Sequence, residues 1–312
     1  MKTIGIIGGS GFIGSHVTKK FLEEGYKVKV SATDLSNTEK YGHLKNLPNA
    51  ENLEILSLKV ENSEELKNFI DGCTILVHGG TPFQLDFKDA KTELFDPTIE
   101  GTKNLLRIIN ETMGIEKVVF VASVAAFNTN FPLPAGGMDV YESFDENTPA
   151  FISKESHPYA QAKYLANKTV EAFIEDHKNL PFEITSVSPV LVMGNSLSKR
   201  EDSTSTALQF LIKNHIAPND FIQGMYDSDM ALSIVDVEDV ADAIYKAANT
   251  NGIHGKNYLL VSETYPVSDV RSMLNKLKPK NNPRIVYQNE LAKTDLKVRF
   301  KPVMETLNNY AT

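Results

Sequence analysis

Thr3-Ile-Gly-Ile-Ile-Gly-Gly-Ser-Gly-Phe-Ile-Gly14 is the stretch from which the rest of the chain is read. Its apolar start, Thr3–Ile7, predicts a short buried strand, and Phe12–Glu24 predicts an amphipathic helix. Three glycines, Gly8, Gly11 and Gly14, run from the end of the strand into the start of the helix at equal three-residue steps. In such a turn the first glycine permits tight reversal and the second lets backbone approach a pyrophosphate. The third lets the helix pack against the strand. Unbonded amides at a helix start then face the phosphates, which makes Ser10 and the Phe12 and Ile13 amides expected contacts. A glycine-rich turn with no ligand is the alternative. Placement at the first strand-to-helix turn favours dinucleotide binding.

Working outward, further strands are expected at Lys27–Ser31, Leu53–Leu58, Ile75–His78, Lys117–Ala122 and Glu183–Ser188. Helical spacing fills the intervals at Glu64–Ile70, Lys91–Thr112 and Tyr159–His177. Alternating strands and helices imply an α/β fold, a Rossmann-type doubly wound parallel sheet covered on both faces. After Val190 the pattern loosens. Gly194–Tyr226 reads as polar and irregular, with an amphipathic patch at Leu208–Lys213. A short strand at Ser233–Asp236, a helix at Val237–Ala248, a strand at Tyr258–Val261 and a helix at Val267–Leu277 follow. The expected division is a dinucleotide-binding domain at 1–190, to which 233–250 returns. A smaller C-terminal substrate-binding lobe takes 191–232 and 251–312.

Composition narrows the function. The chain has 312 residues, 41% apolar and 23% charged, with a net charge of −8. That balance gives no support for nucleic-acid or anionic-membrane binding, which needs a basic face. Cys73 is the single cysteine, so no internal disulfide forms, and it reads as a small buried hydrophobe. No apolar run approaches the roughly 18–20 residues of a membrane span, and no targeting segment is visible. A cytoplasmic monomer or homodimer is the expectation. The histidines lack a metal-ligand spacing, so no metal is expected.

The chemistry concentrates in Pro158-Tyr-Ala-Gln-Ala-Lys163, 36 residues after Ser123 when counted to Tyr159. A tyrosine and a lysine at i and i+4 share one helix face. An ordinary phenol, with a pKa of about 10, is a poor proton carrier near neutrality. A neighbouring ammonium favours the phenolate and lowers that value. Tyr159 would then pass a proton to a carbonyl oxygen, and Ser123, at a strand end, would hydrogen-bond the same oxygen. Lys163 would also hold a nicotinamide ribose. Such pairs also arise by chance on solvated helix faces, and a lone strand-end serine is often only a cap. The ordered set carries the reading: glycine loop, strand-end Ser123, then Tyr159 and Lys163. Asp34, about 20 residues beyond Gly14, is placed to meet a ribose hydroxyl.

With these residues the chain resembles an extended short-chain dehydrogenase/reductase. Its Gly8-x-x-Gly11-x-x-Gly14 matches the glycine spacing of that superfamily. Within it, the dihydroflavonol 4-reductase-like branch is most similar, a branch that includes cinnamoyl-CoA reductases and yeast-type methylglyoxal/aldehyde reductases. Gly72-Cys-Thr-Ile-Leu-Val-His-Gly-Gly-Thr-Pro82 resembles the branch's fourth strand and the turn beside the cofactor. Asp96-Pro-Thr-Ile-Glu-Gly-Thr-Lys-Asn-Leu-Leu106 resembles its next helix. Phe182-Glu-Ile-Thr-Ser-Val-Ser-Pro-Val-Leu-Val-Met-Gly194 resembles the strand leading to the nicotinamide end. Val235-Asp-Val-Glu-Asp-Val-Ala241 and Phe300-Lys-Pro302 resemble its later markers.

The resemblance implies catalytic roles for Ser123, Tyr159 and Lys163. It implies cofactor contacts at Thr33, Asp34, Lys40, His78, Gly79, Thr81, Ser188 and Val190, and substrate contacts at Asn128 and Met193. Phe131, Tyr141, Phe151 and Met225 are further candidates for a pocket wall. NADP(H) is preferred on Thr33, Ser36 and Lys40, with NAD(H) as the alternative. Thr33 replaces the arginine common in NADP users, Lys59 replaces an aspartate that faces adenine, and Asn195 replaces a proline. The implied reaction is hydride transfer between a nicotinamide and a small aldehyde or ketone, in either direction. Two alternatives remain: a nucleotide-sugar epimerase of the same superfamily, and a cofactor-sensing regulator without catalysis. Val124 and Ala125 stand where dehydratases of the superfamily carry an Asp-Glu pair.

Overall fold

A computed structural model of the chain describes residues 1–79, 89–136, 138–139, 142–199 and 203–310. The expected contact Thr81 and the pocket candidate Tyr141 lie outside the described residues. In chain order the first half runs β1 (Thr3–Ile7), α1 (Phe12–Glu23), β2 (Lys27–Ala32), β3 (Leu53–Ser57), α2 (Ser63–Ile70), β4 (Ile75–His78), α3 (Asp96–Glu111), β5 (Lys117–Val121), α4 (Pro158–Asp176) and β6 (Glu183–Pro189). Then come β7 (Leu191–Met193), α5 (Thr204–Asn214), α6 (Asp220–Asp227), β8 (Ala231–Asp236), α7 (Val237–Asn249), β9 (Asn257–Leu260), β10 (Glu263–Pro266), α8 (Val267–Leu274), α9 (Glu290–Asp295) and α10 (Val303–Asn308).

The large sheet has the order β3-β2-β1-β4-β5-β6-β9, and every pair in it is parallel. Alternation along each strand divides its side chains between two cores. On β4 and β5, Ile75, Val77, Val119 and Val121 join Val17, Phe21, Val240 and Ile244 of α1 and α7. The intervening Leu76, Val118 and Phe120 join Phe69, Leu105, Ile109 and Val170 of α2, α3 and α4. A sheet apolar on both faces cannot be left half exposed, and each fully buried Val, Leu, Ile or Phe contributes about 1.5–3 kcal/mol. The chain therefore winds helices over both sides. Its strand order reverses between β1 and β4, which opens a crevice at the carboxyl ends of these two strands.

The helices start where the sequence supplies caps. Asn62 accepts hydrogen bonds from the Glu64 and Glu65 amides at 3.1 and 3.3 Å and opens α2. Asp236 accepts from the Glu238 amide at 2.7 Å and opens α7. Cys73 is buried, its thiol lying 3.6 Å from the Phe69 carbonyl oxygen.

The C-terminal part differs from expectation in three respects. Gly194–Tyr226 is not irregular: α5 and α6 occupy much of it, packed on a separate apolar core with α8 and α10. A second sheet, β10-β8-β7, underlies this lobe. The chain also returns to the large sheet beyond residue 250, because β9 pairs with β6 in register Ser186↔Asn257 to Pro189↔Leu260. Among the described residues no helix is long and apolar enough to cross a membrane.

Candidate active site

The glycine loop lies at the switch point of the sheet. Gly8 has φ +80, a region glycine enters freely, and its amide donates to Ser31 Oγ at 3.0 Å. A Cβ on Gly14 would meet the Gly8 carbonyl oxygen at 2.0 Å and Gly9 Cα at 2.8 Å. Gly79, at the end of β4, faces the same loop: its Cβ would meet the Ile7 oxygen at 2.6 Å and Gly8 Cα at 3.7 Å. Gly11 is the N-cap of α1, so the capping residue itself brings no side chain to the Phe12 and Ile13 amides that open the helix. Ser10, Phe12 and Ile13 are partly buried at this mouth. Amide dipoles, the positive end of α1 and the absence of side-chain bulk together form a cradle for a pyrophosphate. Gly14→Ala is therefore expected to destabilise the protein by roughly 1–3 kcal/mol, because backbone on both sides leaves no room. Thermal melts with and without NADPH check it: the variant should melt lower and lose the ligand-induced rise.

Beyond β2, Thr33, Asp34, Ser36 and Lys40 are exposed on one loop. The Asp34 carboxylate accepts from the Ser36 hydroxyl at 2.7 Å and the Ser36 amide at 2.8 Å, which holds it below the usual carboxylate range. His43, unremarked in the sequence, reaches Ser15 of α1 with Nε2 2.8 Å from Oγ, and so ties this loop to the phosphate helix. Ser31 was equally invisible. Nothing about a serine at a strand end announces that it will receive the Gly8 amide.

The carboxyl end of β5 delivers Ser123. Its Oγ accepts from the Ala125 amide at 3.2 Å and caps the single turn Val124–Ala126, leaving its own proton for another acceptor. Helix α4 packs on that turn. The helix starts at His157, whose Nδ1 accepts from the Tyr159 amide at 3.2 Å, with Pro158 in the first turn. Tyr159 thus falls in the first turn of α4, and Lys163 follows one turn later. Lys163 Nζ lies 5.6 Å from the centre of the Tyr159 ring, within cation–π range. Lys163 is 6% exposed and, with His78, Ala122, Asn167 and Ser186, lines a cavity of about 30 Å³ behind the strand ends. The His78 ring packs 5.5 Å from that of Phe120 on the neighbouring strand.

Burial governs the charges here. It pushes Tyr159 up to about 12, pulls Lys163 down to about 8 and pulls His78 down to about 4, the last helped by the nearby Lys163. The lowering of the Tyr159 pKa expected from the sequence is reversed in the protein by itself. Removing the phenolate from water outweighs the attraction of one ammonium, which is itself desolvated.

Four other expected contacts sit differently. Ser188 is fully buried and donates to Asn257 Oδ1 at 2.8 Å. Asn257 Nδ2 in turn donates to Asn167 Oδ1 at 3.0 Å, one turn beyond Lys163, so Ser188 braces α4 from below. Val190 packs in the core of the large sheet. Met193 is fully buried in the core of the C-terminal lobe, with Ile212 and Met225. Asn128 is also fully buried, its amide donating to the Leu133 carbonyl at 3.0 Å and the Tyr287 hydroxyl at 2.9 Å. Its Oδ1 accepts from the Asn130 amide at 2.9 Å, so it organises the turn. Phe131 and Phe151 pack against the core of the large sheet. Among the described residues no group of three or more His, Cys, Asp or Glu is placed to hold a metal ion.

Fold and site together define a nicotinamide dinucleotide-binding α/β protein. Residues 4–260 match the model of the NAD dependent epimerase/dehydratase family, and the chain belongs to that family. It is an NAD(P)-dependent reductase of the extended short-chain dehydrogenase/reductase superfamily. It is 26% identical over 282 residues to an anthocyanidin reductase of Arabidopsis thaliana, covering 89% of this chain and 81% of that one. With a dihydroflavonol 4-reductase of Arabidopsis thaliana it shares 29% over 290 residues, 90% of this chain and 71% of that one. Its fold matches that of yeast methylglyoxal/isovaleraldehyde reductase Gre2, complexed with NADPH, at a TM-score of 0.79. The sequence identity there is 23%, with 98% of this chain and 96% of that one covered.

Proposed function

We propose that the protein reduces a small aldehyde or ketone with NADPH, using Ser123, Tyr159 and Lys163. The observation that carries this reading is the pairing on α4: Lys163 Nζ stands 5.6 Å from the Tyr159 ring, at the strand ends where β5 delivers Ser123. Gly8, Gly11, Gly14 and Gly79 hold the pyrophosphate, and Lys40 with Ser36 meets a phosphate on the adenosine ribose. Asp34, engaged by Ser36, sets the shape of that loop. The bound cofactor supplies the hydride. Ser123 donates a hydrogen bond to the carbonyl oxygen, and Tyr159 gives that oxygen a proton as the carbon is reduced. Lys163 then faces a new phenolate, and their attraction favours the transfer.

The phenol of Tyr159, at about 12, stays protonated across ordinary pH, which suits reduction rather than the reverse. The relatives named as reductases support the same reading. A panel of aldehydes and ketones, each offered with NADPH and with NADH, tests it by loss of reduced-nicotinamide absorbance. The expected result is one cofactor oxidised per carbonyl reduced, faster with NADPH. An inert panel with a tightly retained, recycled cofactor would return the protein to the epimerases of its family.

A further inference from the structure

A cavity of about 350 Å³ lies between residues 132–135, 138–139, 142 and 144 and the C-terminal lobe, within the roughly 300–1,000 Å³ of small-molecule pockets. Its wall is mainly apolar, with Leu133, Phe144 and Val286 among the described lining residues. None of Ser123, Tyr159 and Lys163 lines it. Among its described lining residues, the polar side chains more than nine-tenths buried are three hydroxyls: Ser233, Thr264 and Tyr287 are 3%, 2% and 4% exposed. Ser233 and Thr264 face one another across the β8–β10 register, with their oxygens 2.7 Å apart. One proton of that pair is given within it, and the other has no acceptor among the described residues. The Tyr287 hydroxyl accepts from Asn128, and its own proton likewise has no acceptor among the described residues. A hydroxyl donor buried without an acceptor is unfavourable by about 1–3 kcal/mol, so this wall fits an occupant that brings oxygen lone pairs. On the rim, Asp139, Glu142 and Asp229 stand against one Arg284, a balance that disfavours a carboxylate or phosphate.

We infer that this cavity is a second small-molecule site, for a neutral, largely apolar compound of one or two rings carrying a carbonyl or ether oxygen. The occupant's oxygen accepts from Tyr287 or from the Ser233–Thr264 pair while its rings lie on Leu133, Phe144 and Val286. Tyr287 leads from there to Asn128, whose backbone N–H donates to the Val124 carbonyl at 2.9 Å in the turn that Ser123 caps. The pocket is thus connected to the turn bearing Ser123 without containing it.

The test uses probes that a nicotinamide does not reduce, so it stands apart from the fate of the proposed reaction. 1-Methyl-2-quinolone and 2-methoxynaphthalene are titrated into the full chain by calorimetry, and naphthalene-2-carboxylate serves as the anionic comparison. Saturable binding of the quinolone or the ether, with the carboxylate at least about tenfold weaker, is expected. Ala231→Phe, on the cavity wall, should abolish it. Whichever of Tyr287→Phe and Thr264→Val removes the hydroxyl that meets the oxygen should weaken it about fivefold, the loss of one hydrogen bond, and Tyr159→Phe should leave it intact. Should Ala231→Phe fold poorly by circular dichroism, the two hydroxyl deletions decide. No saturable heat from either neutral probe overturns the inference. So do equal affinities in the wild type and both hydroxyl variants, or loss of binding in Tyr159→Phe.

Discussion

Replacing Tyr159 by Phe is expected to lower kcat/KM for carbonyl reduction by roughly 10²- to 10⁴-fold, the range for removing a positioned proton donor. The change is confined to one oxygen and its proton. The ring that faces Lys163 at 5.6 Å is kept, and so is the amide that His157 caps. The helix and the cofactor cradle on β1 and β4 are untouched, so NADPH affinity should stay within about threefold, less than one hydrogen bond is worth. What disappears is the proton that must reach the carbonyl oxygen as hydride reaches its carbon. Without it a full negative charge develops on that oxygen, met only by Ser123. Burial, which holds the phenol up to about 12, means the native donor is loaded throughout the working range. The comparison is made by steady-state kinetics on the best substrate of the panel, with NADPH affinity measured by fluorescence. A variant that keeps more than about a tenth of native kcat/KM would remove Tyr159 from the chemistry.

Much of this site was legible in the sequence because its parts act through backbone position. The strand Thr3–Ile7 and the glycine spacing place Gly8 and Gly14 by chain geometry alone, and the Cβ clash at Gly14 follows. Tyr159 and Lys163 share a face because a helix turns at a fixed rate. The illegible parts depend on partners distant in sequence. Ser188 and Asn128 are taken up by Asn257 and Tyr287, and no local pattern announces either bond. Met193 sits on β7, a strand of three residues, too short for alternation to show that it faces the lobe's core. α5 was hidden for a related reason. Its fully buried residues are Gln209 and Ile212, and Gln209 does its work by bonding the Gly194 backbone, so its apolar stripe is thin. Desolvation is also unreadable from spacing. The sequence places an ammonium near a phenol but does not say how far both leave water, and that distance from water sets the sign of the Tyr159 shift.

Lys163→Met carries the second large effect, and it separates function from stability. The Lys163 side chain is nearly buried, and burial brings its ammonium from an ordinary value near 10.5 down to about 8. Below about pH 8 the folded protein carries the charge, and above it the charge is lost. Because the ammonium favours the phenolate left after proton transfer, reductase turnover should fall as pH rises through about 8. In the methionine variant kcat should drop roughly 10²-fold, and this alkaline limb should vanish. Stability should move the other way. A cation whose pKa is lower folded than unfolded gives up its proton on folding between those values, so native stability rises as pH climbs from about 8 towards 10.5. At neutral pH the native protein bears an unfavourable term of up to about 3 kcal/mol, which a methionine of similar length removes. The variant should therefore melt no lower than the native protein at pH 7, with a flatter dependence on pH above about 8. Lowered turnover together with an unchanged or raised melting point assigns Lys163 to chemistry. A variant that loses both would make it a strut between α4 and the strand ends, and the buried charge would then need another explanation.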